Sequence, residues 1–335
     1  MVQFITRRLL WLIPVVLGMT VITFTISNLV PADPIRAIAG SNARPEQVEN
    51  LRREWGMDKP LPQQYLTYLA NLFRGNLGNS IHTRRPVLQD LKEYFPATLE
   101  VTLAAVILMV AVGIPLGVLS AVRQGRLIDH INRLICIGGI AMPIFFLGLL
   151  FQLIFYRWLN WLPAQGRIDI LISPPRHFTG MYVLDSIVSA NWVALLSSLK
   201  HLLMPALTLA FGSLAMISRM VRANMLEVLG CDYIRTARAK GLGERQVIYR
   251  HALRNALIPT VTLLALQIGL LLGGAFLVEI IFSWPGIGLY AVRSMLAVDF
   301  PAIMGVTLLI VIIYVLINLL ADLIYGGLNP CIRLE

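Results

Sequence analysis

Reactive chemistry in this chain is concentrated in cations rather than in catalytic sets. The 28 residues DYIRTARAKGLGERQVIYRHALRNALIP, Asp232 to Pro259, place Arg235, Arg238, Lys240, Arg245, Arg250 and Arg254 around a Gly241-Leu242-Gly243 break. Such groups can pair with acids on a partner surface, or hold a loop on the cytoplasmic side of a bilayer. No comparable set exists for catalysis. The five histidines (His82, His130, His177, His201, His251) lie in predicted loops or at helix ends, and nothing marks them as ligands or bases. Cys136, Cys231 and Cys331 are far apart and lack metal-ligand spacing, and their placement argues against a disulfide framework. No Walker-type phosphate loop is present. With no nucleophile, base or metal constellation, an intramembrane enzyme is disfavoured.

The elements that carry these cations must be largely membrane-embedded. The chain has 335 residues, 57% of them hydrophobic and 14% charged, and a mean hydropathy of +0.73; soluble domains carry about 25% charged residues. A core of this size cannot absorb so much apolar surface, so lipid is the solvent for much of it. The net charge of +10 does not point to nucleic acid. Its positives sit in short loops beside apolar segments, which is a topology signal.

Six segments have the apolar length of about 20 residues that a spanning helix needs: Leu9–Val30, Val101–Val122, Leu134–Tyr156, Leu202–Ile217 (starting as early as Ala194), Leu257–Phe282 and Ile303–Tyr325. The first follows Arg7-Arg8 but is too long for a signal peptide and shows no cleavage site, so it reads as a retained helix. Arg123, Arg126 and Arg133 fall in the second connection. Arg219, Arg222 and the basic segment fall in the fourth, against three acids. Both termini are therefore expected in the cytoplasm. The domain expectation is 1–30 for the N-terminus and first helix, 31–100 for an outer subdomain, and 101–335 for a five-helix core with an outer insertion at 157–200. The span centres hold no ionisable group, unlike many gradient-driven transporters. Glu100, Glu279 and Asp322 fall near span ends, within expected reach of water. Gln152 and Gln267 are the deep polar side chains, expected to bond between helices. Gly138-Gly139, Gly269, Gly273-Gly274 and Pro143 permit close packing or bending. An energy source must come from another polypeptide.

Asp232 is expected to cap a short helix that Gly241 ends in a left-handed turn, with a second helix from about Gly243-Glu244 carrying Val247, Ile248 and Leu253 to the next span. Ala237 and Ala239 are small enough for a partner to approach. An ordinary positive-inside loop fits the composition equally well. Residue order is more specific. Aligned on Gly241, the segment resembles the EAA loop of ATP-binding-cassette importer permeases, with Arg235-Thr236-Ala237 at the first triplet and His251-Ala252-Leu253-Arg254 at the last four positions. Only Ala237, Gly241 and Leu253 match the general form; the Arg-Thr-Ala-Arg-Ala-Lys-Gly version resembles the peptide and nickel permeases. GMDKPLPQQYLTYLANLFRGNLGNSI (56–81), RPV (85–87), PATLE (96–100), FSWPGIG (282–288) and DFP (299–301) extend the resemblance over nearly the whole chain.

That resemblance implies an all-α integral membrane protein: a six-helix, type I importer (MetI-like) bundle with an ordered outer loop subdomain. It implies an ATPase-coupling segment that includes Arg235, Thr236, Ala237, Arg238, Lys240, Gly241, Leu242 and Leu253. Implied partners are a second permease, two cytoplasmic ATPases carrying ATP and Mg, and an extracytoplasmic solute-binding protein. No cofactor would be bound by this chain, and the location would be a bacterial or archaeal plasma membrane. The implied cargo is a di- or oligopeptide, with nickel, glutathione or another small solute as the alternative and a stand-alone secondary transporter or channel as the competing class. Leu61, Tyr65, Leu66, Leu69, Leu72 and Phe73 at helical spacing predict an ordered outer helix, which either receives the binding protein or packs only on its own subunit. The second insertion, with Trp161, Pro174-Pro175 and Trp192, resembles that of dipeptide-type members. In FSWPGIG, Pro285 is expected to break the helix, Gly286 and Gly288 to allow tight backbone, and Phe282, Trp284 and Tyr290 to join an interfacial belt.

Overall fold

The computed structural model describes residues 2–29, 44–54 and 56–328. Residues 31–43 of the expected outer subdomain (31–100), and Cys331, therefore lie outside the described residues. The elements are α-helical: α1 (Val2–Leu29), α2 (Pro45–Glu54), α3 (Leu61–Phe73), α4 (Val87–Val122), α5 (Leu127–Ala141), α6 (Ile144–Phe151), α7 (Tyr182–Val188), α8 (Trp192–Leu229), α9 (Asp232–Ala239), α10 (Glu244–Gln246), α11 (Leu253–Ile281), α12 (Ile287–Leu296) and α13 (Phe300–Leu328). The π-helical turns Gln152–Trp158 and Val247–Ala252 extend α6 and α10.

Among the described residues four helical runs are long and apolar enough to cross a bilayer: Val87–Val122, Trp192–Leu229, Glu244–Ile281 and Phe300–Ile317. α1 contributes a shorter apolar stretch, Ile13–Ser27. The expected third span is broken. Leu127–Ala141 and Ile144–Trp158 meet at 115°, so together they form one bent crossing or a re-entrant pair. Pro143 causes the break: it has no N–H for the helical ladder and pushes Met142 into extended backbone (φ −80, ψ 128). α4 starts at Val87 rather than Val101, and α8 runs from Trp192 to Leu229, near the earlier of the two expected starts.

The chain divides into two compact units. One comprises Met1–Pro96 and Gly286–Leu316; the other comprises Ala97–Pro285 and the segment from Ile317. In the first unit, three of the strings that carry the resemblance converge. Asp299, fully buried, accepts hydrogen bonds from Ser80 Oγ (2.5 Å), His82 N (3.0 Å) and Ala302 N (3.2 Å). Asp90, equally buried, accepts from Thr83 Oγ1 (2.5 Å) and Tyr290 Oη (3.1 Å) and pairs with Arg85 (2.7 Å). Tyr290 also stacks on Tyr94 at 4.9 Å. The expected outer helix is α3, and Tyr65 reaches Thr20 Oγ1 of α1 at 3.0 Å. Its Leu61, Leu66 and Phe73 stay exposed.

The second unit is centred on α8, which packs against α5, α6, α7 and α11. A Cβ at Gly117 of α4 would lie 2.7 Å from Ser218 O and from Val221 Cβ. Only glycine lets α4 and α8 approach this closely. Trp284 fills the core and donates Nε1–H to Ala97 O at 2.8 Å.

Several expectations are corrected by burial. Phe282, Trp284 and Tyr290 are core residues, each 2% exposed or less, rather than an interfacial belt. The left-handed residue of that turn is Ser283 (φ 48), while Gly286 is extended. Glu100 and Glu279 are buried away from water: Glu279 accepts from Thr98 Oγ1 at 2.6 Å, and Glu100 pairs with Arg167. The side chain of Asp322 lies outside the described residues. His201 sits inside α8, buried, with Nδ1 at 2.8 Å from Ser197 O. The physical reason is common to all: residue type and span-end position do not report whether another helix covers the site.

Within the second insertion, Asp185 organises the backbone before α7. Its carboxylate accepts from Thr179 N (2.8 Å), Thr179 Oγ1 (2.7 Å), Gly180 N (2.9 Å) and Phe178 N (3.3 Å). Burial alone would raise its pKa, but these hydrogen bonds outweigh burial and hold it below the usual carboxylate range. The stabilisation is present above the unfolded value of about 3.9 and is lost as pH falls through the depressed folded value. Hydrogen-exchange protection at Thr179 and Gly180 should hold at pH 5 and decline progressively as pH falls below about 4. Equal protection at pH 5 and 2.5 would show that the carboxylate does not close this loop.

Candidate functional site

The basic segment folds as a helix, a glycine turn and a helical run that enters the membrane-type helix directly. Cys231, not Asp232, occupies the N-cap position, and it makes no side-chain capping bond; Asp232 is the first helical residue, adding a negative charge where the helix dipole favours one. The far end of α9 closes as a Schellman motif: Gly241 N donates to Arg238 O (2.9 Å) and Leu242 N to Ala237 O (3.4 Å). Gly241 has φ +77, the left-handed conformation that a side chain resists. α10 lasts one turn and passes through Val247–Ala252 into α11, so the expected second helix is the beginning of one continuous run, Glu244–Ile281.

The two faces of α9 have different fates. Ile234 and Ala237 are buried and share the core cluster with Val247, Ala252 and Ala256. Leu242 and Leu253 are half-buried beside that cluster. Ala237 is thus covered by its own chain and is not a close-approach point for a partner. Asn255 Nδ2 donates to Tyr233 Oη at 2.8 Å, a second tie between α9 and α11. Arg235, Thr236, Arg238, Ala239, Lys240 and Gly241 form the exposed face.

Some of the exposed polar groups already have intrachain partners. Arg235 lies 3.3 Å from Asp232, and Thr236 Oγ1 donates to Asp232 O at 3.0 Å. Arg238 bridges the glycine turn to Glu244, with Nε–Oε1 2.7 Å and Nη2–Oε2 3.4 Å. Both pairs are solvent-exposed, so each contributes roughly 0–1 kcal/mol. Lys240 makes no ion pair among the described residues. Arg222, counted in the sequence as a topology charge, instead joins α8 to α5: Nε and Nη2 grip Asp129 at 2.6 and 2.9 Å, and Ser120 Oγ adds a 2.6 Å bond. Sequence position alone could not separate these two classes of arginine.

Deeper in the same unit, the bend at Met142-Pro143 leaves a cavity of about 310 Å³ between α5, α6, α8 and α11. Thr208, Ser213 and Gln267 supply its polar wall. The deep glutamines do bond between elements: Ser213 Oγ donates to Gln267 Oε1 at 2.7 Å, and Gln152 Nε2 donates to Ala164 O and Ile281 O. The sequence identified both residues but not the cavity, which is lined by residues on both sides of the bend.

Residues 113–334 match the family of binding-protein-dependent transport system inner membrane components, and residues 1–102 match the N-terminal region of such membrane components. This chain belongs to that family of permeases. It resembles a probable D,D-dipeptide transport system permease protein from Escherichia coli, at 48% identity covering 97% of this chain and 96% of that one. A dipeptide transport system permease protein of Escherichia coli is 43% identical over 99% of both chains. A glutathione transport system permease protein of Pectobacterium atrosepticum is 38% identical over 99% of both. A solved chain of the MetNI methionine ABC transporter, described as inward-facing, shares the fold: TM-score 0.50 and 20% identity, over 70% of this chain and 93% of that one. The permease is a multi-pass membrane transport subunit of an ABC importer and not an enzyme.

Proposed function

We propose that this permease forms half of the translocation path of an ATP-driven importer of di- or oligopeptides. The observation that carries the cargo is the 43–48% identity to dipeptide permeases across almost the full chain. A homologous second permease completes the path, two cytoplasmic ATPases bind ATP and Mg, and a solute-binding protein delivers cargo from outside. Six crossings with both termini in the cytoplasm of a bacterial or archaeal cell fit the charge distribution. The exposed face of α9, with Arg235, Thr236, Arg238, Lys240 and Gly241, docks the ATPase; Ala237, Leu242 and Leu253 join that face to the bundle. Two packing ties and a continuous helix from Glu244 to Ile281 make α9 a lever on α11. Closure of the ATPase pair biases a two-state bundle in this way.

A second reading, glutathione import, is favoured by the 38% relative; glutathione is itself a peptide, so the same path chemistry applies. Uptake in a strain deleted for this chain tests the assignment, with dipeptides, glutathione and Ni²⁺ compared. Loss of dipeptide uptake, restored by the permease gene, is expected. Intact dipeptide uptake with lost Ni²⁺ uptake would reject the cargo, and recovery of the permease from membranes without an ATPase would reject the assembly.

A further inference from the structure

We propose that Gln267 holds a substrate peptide group in the cavity at the Met142-Pro143 bend, while the apolar wall beside it takes an aliphatic or aromatic side chain of the same substrate. This rests on the peptide reading above. The cavity of about 310 Å³ has walls of Ile144, Leu147, Leu209 and Leu270 with few polar groups among them. Two of those groups are already committed. Thr208 Oγ1 donates to Met204 O at 2.8 Å, and Ser213 Oγ donates to Gln267 Oε1 at 2.7 Å. Gln267 is only 8% exposed, yet its Nε2 has no hydrogen-bond partner among the described residues. An amide left so in an apolar site is costly, and a ligand that completes it is correspondingly favoured.

The chemistry of the amide selects the ligand class. As placed, Nε2 offers two N–H donors to a carbonyl or carboxylate oxygen. With the amide rotated, Ser213 accepts from Nε2 and Oε1 faces the cavity, where it takes an N–H. A peptide group presents both an acceptor and a donor, so it completes Gln267 in either orientation. A hydrated metal cation completes only the second. Placement on α11 matters as well, because α11 continues the run that begins beside the Gly241 turn, so movement there changes the position of this amide.

The test uses the permease assembled with its ATPases, partner permease and binding protein in proteoliposomes, with radiolabelled alanyl-phenylalanine as probe. Wild-type vesicles that import none of it would overturn both the peptide reading and this inference. Where wild type imports it, Gln267→Leu should lower peptide imported per ATP hydrolysed about tenfold, equivalent to about 1.4 kcal/mol. A Gln267→Cys variant supplies an independent readout that does not depend on turnover: its thiol should react with a water-soluble methanethiosulfonate, and excess dipeptide should slow that reaction. An unchanged ratio in Gln267→Leu, or labelling that dipeptide does not slow, overturns the inference while leaving the peptide reading in place.

Discussion

Gly241→Val should leave the permease in the membrane at near wild-type abundance and reduce ATP-driven import about tenfold or more, the size of effect that a strain of about 1–2 kcal/mol at the coupling turn can produce. The backbone there has φ +77, and a Cβ would meet no atom within 4 Å. The penalty is therefore conformational and not steric contact with a neighbour. A β-branched residue relieves it by leaving the left-handed region, which breaks the bonds from Gly241 N to Arg238 O and from Leu242 N to Ala237 O. The exposed cations of α9 then lose their fixed relation to α11. Gly243 is the internal control: its backbone is ordinary (φ −62, ψ 141) and its surroundings are equally open, so Gly243→Ala should import normally. Dipeptide uptake and ATPase stimulation by loaded binding protein, measured in the same vesicles, separate coupling from assembly. Normal uptake by Gly241→Val would remove the turn from the coupling path.

Arg167→Met should be the most destabilising single change in the outer insertion, by about 3–5 kcal/mol. Arg167 and Glu100 are 7% and 6% exposed and meet through Nη2 and Oε2 at 2.5 Å. The guanidinium also donates to Gly180 O at 2.9 Å and lies 3.7 Å from the Tyr182 ring centroid, while Glu100 accepts from Val183 N at 2.7 Å. Removing the cation leaves a buried carboxylate with one fewer counter-charge and loosens the segment from Arg167 to Val183. A neutral double variant, Glu100→Gln with Arg167→Met, should recover much of the loss, because the uncompensated charge and not the missing attraction dominates the cost. Thermal unfolding of the purified permease in nanodiscs reads both. A double variant no more stable than Arg167→Met would show that packing of the guanidinium against Tyr182 is what matters.

Helix existence was legible along most of the chain because lipid imposes long apolar runs, and the outer helix Leu61–Phe73 was legible through its 3.6-residue spacing. The glycine turn was equally legible, since few residues other than glycine end a helix in the left-handed region without strain. Helix ends were not. α4 and α8 continue well past their apolar cores, through Asp90 and Arg222, because ion pairs and hydrogen bonds that include buried carboxylates satisfy groups that hydropathy counts as loop. Asp129 with Arg222, and Glu100 with Arg167, lie 93 and 67 positions apart, beyond any local pattern.

By itself, then, the sequence determined the membrane class, the family, the basic segment and the glycine on which its geometry turns. Each depends on local steric rules, on composition or on residue order. Tertiary structure alone decided which face of α9 remains free, which acids are sealed from water, and that the third apolar segment is bent by 115°. It also decided that Gln267, one polar residue in an apolar helix, has an amide open to a cavity. Burial belongs to the set of helices that meet at a point, and no single segment encodes it.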